Sequence, residues 1–255
     1  MNERADHTAR IWKTRNMLKE KEDQENPHSL LQMISKEPGP GLLSLETCTR
    51  ILGFAGIDLA RWKSASNETE LETAFNNLTP PLVMKIDSPD IVHKSDTGGV
   101  ITGLEDIESV CRAYAKMIRS IKTKHLDAKI HGVTLHEFVD GVELVLGMSR
   151  DPQFGPVVMT GAGGVLVEIM QDLAFRVAPF DRKEGLAALE ELRSNKMLDG
   201  YRGRPSVDRN KLADTMVSLG ELALALPLIE EIDLNPVMAS ERGVIAADVR
   251  MVRGV

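Results

Sequence analysis

The chain lacks an excess of positive charge: 31 Lys and Arg against 38 Asp and Glu leave a formal net charge of −7. That balance argues against nucleic acid as the main partner, because nonspecific phosphate binding relies on a basic surface. An anionic ligand has to be held instead by local cations and backbone amides. Cysteine is equally sparse. Cys48 and Cys111 are too few for a disulfide framework and stand at no metal-ligand spacing. Cys111 falls on the apolar side of a predicted helix, the place of a small buried hydrophobe. No apolar run is long enough to span a bilayer, and the opening stretch MNERADHTARIWKTRNMLKEKEDQENPHS has no apolar core of the secretory type. These absences predict a soluble protein in the reducing cytoplasm.

What is present is ordinary globular material. The 255 residues, 42% hydrophobic and 27% charged, are enough for one large domain or two modest ones with a substantial core. Residues 1–40 are highly charged, close on the helix-breaking SKEPGPG, and read as a peripheral arm or linker. LLSLETCTRILGFAGIDLARW predicts a short amphipathic helix, and NETELETAFNNL another, with Asn67 as its cap and Glu70 three residues on. PLVMKI and GGVITGL have the length and composition of strands. Between Ile107 and Ile121 apolar residues recur at the helical period, with Lys and Arg on the other face. Four strand candidates follow, VTLHEFV, VELVLGMS, PVVMT and VLVEI, joined by the turn chemistry of DGVE, RDPQFG and GAGG, which suits antiparallel hairpins. Two helices, around Leu186, Leu189 and Leu192 and around Leu212, Met216, Leu219 and Leu222, precede a last strand pair, LIEEIDLNPVM and GVIAADVRMV. This order is α+β, with room for two sub-layers and a ligand cleft.

Several residues carry chemistry. If residues 229–233 and 244–248 form a hairpin, Asp233, Asn235 and Asp248 converge and offer only oxygen donors, a set that suits Mg²⁺ held through one or two carboxylates plus substrate phosphates. The same residues also read as a capped turn with Asn235 before Pro236. Lys85 interrupts an apolar strand, so it either reaches a cleft and meets an anion such as phosphate, or lies on an edge strand that its charge protects from aggregation. TGAGG places Gly161, Gly163 and Gly164 before a strand candidate, where backbone amides can approach a phosphate or simply form a tight turn; the dinucleotide spacing is absent. Glu137 and Glu143, flanking FVDGV, read locally as solvated carboxylates. His93, in DIVHKSDTGGV, sits beside a Gly-Gly turn and a cation: a surface turn, or a loop carrying a nucleophile, acid or base.

Taken together, PLVMKIDSPDIVHKSDTGGV, GVELVLGMSRDPQFGPVVMTGAGGVLVE, LDGYRG and EEIDLNPVM followed by AADVR resemble, in order and from about Leu43 to Val252, the ATP-grasp domain of the ADP-forming acetyl-CoA synthetases, their β subunit or its equivalent in the fused NDP-forming acyl-CoA synthetases. The resemblance implies an ATP-grasp fold over 41–255, two α+β subdomains of about 41–130 and 131–255 with ATP between them. It makes Lys85 a contact of the ATP phosphates, Asn235 and Asp248, with Asp233 beside them, the Mg²⁺ ligands, and His93 a transiently phosphorylated histidine on a swinging loop. Glu137, Glu143 and the Gly161, Gly163, Gly164 segment match stretches lining the nucleotide cleft. Asp96 is a candidate to orient the His93 ring. Where this chain reads LHEFV, the family commonly has a Gln in the strand leading to the nucleotide hinge.

The implied reaction is acyl-CoA + ADP + phosphate ⇌ carboxylate + CoA + ATP, run through phosphohistidine, with ATP/ADP and Mg²⁺ as cofactors. The chain carries no CoA-binding Rossmann pattern and no second phosphorylatable histidine motif, so the resemblance implies a CoA-binding α subunit as partner, in an α2β2 assembly. Two other readings stay open: another ATP-grasp ligase working through an acyl-phosphate, and a nonenzymatic nucleotide-binding module.

Overall fold

The structure, a computed structural model, describes residues 26–91, 94–163, 171–200 and 205–254. These fall into two units, one of residues 60–139 and one of residues 26–59 with 140–254. The division differs from the expected one near residue 130, because the strand containing residues 132–137 is central to the first unit's sheet and residues 26–59 pair with the C-terminal strands.

The chain enters through α1 (Pro27–Lys36), β1 (Gly41–Leu42), α2 (Leu45–Phe54) and β2 (Asp58–Leu59). Residues 27–36 were expected to lie in an arm; they form a packed helix instead. Asn26 caps it by accepting from the Ser29 amide at 3.0 Å, Pro27 takes its first position, and Leu30 and Ile34 are fully buried. At its other end Arg253 Nη1 donates to the carbonyls of Ile34 and Glu37, both at 3.1 Å, tying the helix to the C-terminal strand. Ser44 caps α2, and the Glu37 carboxylate accepts from the Ser44 and Thr47 hydroxyls.

The first unit holds β3 (Trp62–Ala65), α3 (Glu68–Asn76), β4 (Leu82–Asp87), β5 (Val100–Leu104), α4 (Ile107–Lys124) and β6 (Gly132–Glu137). Its strands make an antiparallel sheet in the order β3-β6-β4-β5. Alternation sends Leu82, Met84, Ile86, Val133 and Leu135 to one face, where they pack with Leu71 and Ala74 of α3 and Val110, Met117 and Ile121 of α4. Asn67 caps α3 as predicted, accepting from the Glu70 amide at 3.0 Å. Cys111 on α4 is only half-buried, so the fully buried thiol is that of Cys48 on α2.

The second unit is built on β7 (Val142–Asp151), β8 (Gly155–Ala162), β9 (Leu173–Val177), α5 (Arg182–Glu191), a 3₁₀ turn over Arg193–Asp199, α6 (Arg209–Ala225), β10 (Ile229–Ser240), β11 (Gly243–Ala246) and β12 (Arg250–Arg253). Eight strands form one sheet, with the path β1-β12-β10-β7-β8-β9 and β11 joining β10 to β2. The helices α5 and α6 pack on each other and on β7, β8 and β9. The strand candidate VLVEI lies outside the described residues. Residues 229–233 do not pair with 244–248 as expected: they pair with β12, while β11 pairs with residues 237–240 of β10.

Candidate functional site

Lys85 lies in β4 between β6 and β5, so it is not an edge lysine. It is 7% exposed, on the face opposite the helix-covered core. The antiparallel register sets it across from Thr134, and Val83 across from His136, which in turn stands across from Trp62. An ammonium buried on an interior strand is held there only with compensating negative or polar partners, and the edge-strand alternative for Lys85 does not hold.

The loop leaving β4 is fixed at both sides. Asp90 Oδ2 accepts from the Lys129 amide at 2.7 Å, and the turn after it is closed by the Gly99 amide donating to Lys94 O at 2.7 Å. Gly98 takes φ +75°, a conformation glycine adopts without cost. His93 lies outside the described residues; Asp96, its candidate orienter, is exposed on this turn.

Glu137 departs from its expectation as a solvated carboxylate. It is 2% exposed, turned by strand alternation to the side of Leu135 rather than of Lys85, and accepts from Arg61 Nη1 at 2.9 Å and the Thr79 amide at 3.0 Å. Its side chain joins the segments before β3 and β4 to the end of β6. Glu143, on β7, is exposed as expected. A concavity of about 530 Å³ runs along α4 beside Arg112, Lys116, Arg119 and Lys124, on the helix layer and away from the Lys85 face.

In the second unit Glu231, Asp233 and Asn235 alternate with buried Ile232 and Leu234 along β10. The Asn235–Pro236 peptide is cis and lies inside this strand, at the register shift against β7, so the segment is not the capped turn it resembled locally. Asp233 pairs in register with Arg250, and Asp248 precedes β12 by two residues. Burial raises the Asp233 pKa above the ordinary carboxyl value; Arg250 pulls it down, while Glu231 and Asp248 push it further up.

The like charges of Glu231 and Asp248 acting on Asp233 fit the presence of a cation nearby. A divalent ion beside Asp233, Asn235 and Asp248 relieves the repulsion with oxygen donors of the right hardness. Among the described residues no three His, Cys, Asp or Glu side chains form a closed metal cage. A Mg²⁺ ion held beside these residues would draw its remaining donors from water and ligand phosphates.

Gly161 belongs to β8 itself, not to a turn ahead of a strand. Gly163 follows, its amide donating to Glu143 O at 2.8 Å; a Cβ there would lie 2.6 Å from the Glu143 carbonyl carbon, so no side chain fits. Gly164 lies outside the described residues. Of the residues the sequence brought forward, Lys85 is buried on β4, Asp233 is half-buried and Asn235 exposed on β10, and Asp248 is half-buried between β11 and β12; the sequence passed over His136, which carries no local signal apart from a polar residue at a strand position.

Residues 35–252 match the ATP-grasp domain family. The β subunit of acetate–CoA ligase [ADP-forming] I of Pyrococcus furiosus is 42% identical over 203 residues, 79% of this chain and 88% of that subunit. Acetate–CoA ligase [ADP-forming] I of Archaeoglobus fulgidus is 39% identical over 80% of this chain, which spans 30% of that longer protein. Among solved structures, acetyl-coenzyme A synthetase 1 of Ca. Korarchaeum cryptofilum, in complex with coenzyme A and Ca-AMPCP, superposes with a TM-score of 0.84 at 36% identity, over 90% of this chain and 100% of that one. A second structure of that synthetase, with coenzyme A and Mg-AMPPCP and its phosphohistidine segment pointing towards the nucleotide binding site, gives 0.75 at 34% identity over the same shares. The chain belongs to the ATP-grasp family, in the group formed by the β subunits and corresponding domains of ADP-forming acetate–CoA ligases.

Proposed function

We propose that this chain is the nucleotide-binding catalytic subunit of an ADP-forming acyl-CoA ligase, an acid–thiol ligase, moving a phosphoryl group between ATP and His93. The reading is carried by the oxygen-donor set of Asp233, Asn235 and Asp248, in which the half-buried Asp233 carboxyl is pushed up by burial and by the charges of Glu231 and Asp248, a setting that suits a cation that also holds phosphates. Acetate is the acyl group suggested by the relatives. The cytoplasm, where ATP, CoA and carboxylates meet, is the setting that fits.

In the ATP-consuming direction the neutral His93 imidazole attacks the γ-phosphorus. One N–P bond forms, the bond to the β,γ-bridging oxygen breaks, and its electron pair leaves on ADP. Lys85 neutralises charge on the phosphoryl oxygens from its fixed place on β4. Asp233, Asn235 and Asp248 would hold Mg²⁺, which when bound neutralises phosphate charge and orients the chain of phosphates. The phosphohistidine then passes its group to a carboxylate, and the acyl-phosphate so formed is consumed by CoA; this second half takes place on a CoA-binding partner subunit, in an α2β2 assembly. Splitting the transfer in two lets a nucleotide site and an acyl site each work by a short in-line displacement.

Incubation with [γ-³²P]ATP and Mg²⁺ tests the reading. The chain is expected to take up an acid-labile, base-stable label that is missing from His93→Ala. Full labelling of that variant, or ligase turnover unchanged by His93→Asn in the presence of the partner subunit, overturns it.

A further inference from the structure

The face of the small sheet that carries Lys85 also carries a histidine that the reaction above does not use. His136 is 2% exposed. Its ring stacks on Trp62, centroids 6.4 Å apart and planes at 27°, and its Nε2 lies 2.9 Å from the Thr134 hydroxyl oxygen. The other ring nitrogen, Nδ1, is buried with no hydrogen-bond partner among the described residues. An orphaned buried polar atom of this kind is costly, yet this one is held rigidly: Trp62 fixes the ring plane and Thr134 fixes its rotation. A polar atom kept unpaired in a fixed direction is what a ligand contact looks like before the ligand arrives.

The surroundings select the class of ligand. Lys85 stands across the ladder from Thr134 on the same face, and Lys94 closes the turn that follows. Burial first, and then these two ammonium groups, hold the His136 pKa well below the ordinary histidine value, so the ring is neutral at working pH. A neutral imidazole beside two cations serves an anion as a donor without adding charge. For that role the Thr134 hydroxyl donates to Nε2 and the ring proton sits on Nδ1, a tautomer that an acceptor-rich ligand favours.

We propose that His136 Nδ1–H donates a hydrogen bond to a phosphate oxygen of the nucleotide whose phosphates Lys85 holds. The inference rests on the nucleotide reading of the site and adds to it a specific phosphate contact made by a residue other than Lys85. His136 is a binding residue in this account, and Trp62 and Thr134 are the residues that position it.

Calorimetry with ATP and with the phosphate-free adenosine, on the full chain and on His136→Leu and His136→Gln, tests it. Loss of a buried bond to a charged group predicts roughly ten- to hundredfold weaker ATP binding in His136→Leu, little change for adenosine, and recovery to within severalfold in His136→Gln, whose amide can donate. In ¹⁵N-histidine NMR of the unmutated chain, the Nδ1 signal is expected to be protonated and to shift on adding ATP, a readout that needs no variant to fold. ATP affinity unchanged in His136→Leu, equal losses for ATP and adenosine, or an Nδ1 signal blind to ATP overturns the contact. Failure of the unmutated chain to bind ATP at all would instead bring down the nucleotide reading on which it rests.

Discussion

A thiol sunk among apolar side chains loses its acidity. Cys48 is 1% exposed, and its pKa is pushed up to about 12 by burial, reinforced by the carboxylates of Glu37 and Asp248 and only partly offset by a backbone hydrogen bond at Met251. The unfolded chain releases this proton near the ordinary value of 9.0, whereas the folded protein keeps it. More protons are then bound in the native state than in the unfolded one, so stability falls as pH rises from about 9 to about 12, by up to about 1.4 kcal/mol per pH unit. Urea midpoints measured at pH 8, 9 and 10 are expected to show that decline, and Cys48→Ala to flatten it. A thiol reagent at pH 8 is expected to modify half-buried Cys111 in the native protein and Cys48 only in urea; equal native rates would contradict the burial. Single residues were unevenly legible from the sequence. Lys85 was conspicuous because a charge interrupts PLVMKI, and Asp233, Asn235 and Asp248 because the last strand pair offers a run of oxygen donors. His136 was not, because what makes it unusual is Trp62 and Thr134 around its ring, and the Trp62 neighbour comes from another strand far off in the chain.

At the scale of elements, patterns that bury large apolar residues were readable and patterns that invert them were not. The alternation of β4 and the helical period of α4 follow directly from Leu82, Met84 and Ile86 and from Val110, Met117 and Ile121, which share one core. β9 escaped because its large apolar residues face outward: Phe175 and Val177 are 53% and 47% exposed while only Ala174 is buried. α1 escaped because its two core residues, Leu30 and Ile34, lie in a charged stretch, although Asn26, Pro27 and the i, i+4 spacing already spelled a capped helix. The β10 pairing was misjudged because Asp248 sits in a bend between two short strands, which shifts the partner of residues 229–233 to β12. Glu137 ties several elements of the first unit together, and its carboxylate is fully buried against an Arg61 side chain that is 28% exposed. Glu137→Gln keeps the shape and removes the charge, and Arg61 can turn to water. We expect a loss of about 1–3 kcal/mol, read as a fall in Tm of roughly 2–4 °C per kcal/mol, with ATP affinity within about threefold of the unmutated chain. A loss of ATP binding without a loss of Tm would return the Glu137 side chain to the nucleotide contacts.

For the whole molecule, the division of labour proposed above follows from where charge and donors are concentrated. The residues proposed for the reaction all serve phosphate and its counter-ion: Lys85 on β4 of one unit, and Asp233, Asn235 and Asp248 of the other. The chain spans 88% of a relative named as a β subunit and 30% of a relative in which one longer chain carries the ligase name. A split reaction of this kind has a measurable signature. Alone, the chain is expected to exchange phosphate between labelled ATP and ADP through its phosphoenzyme, while forming no acyl-CoA from acetate, CoA and ATP. Adding the CoA-binding subunit is expected to restore ligase turnover in proportion to complex formed, saturating at equal amounts of the two chains, and to move the 28.1 kDa chain to a larger species in size-exclusion chromatography. His93→Ala should abolish both activities yet leave that association intact, since a phosphoryl carrier is needed for transfer and not for docking. Acyl-CoA formation by the isolated chain would show that both halves of the reaction reside here, and unchanged turnover on adding the second subunit would remove the partner from the mechanism.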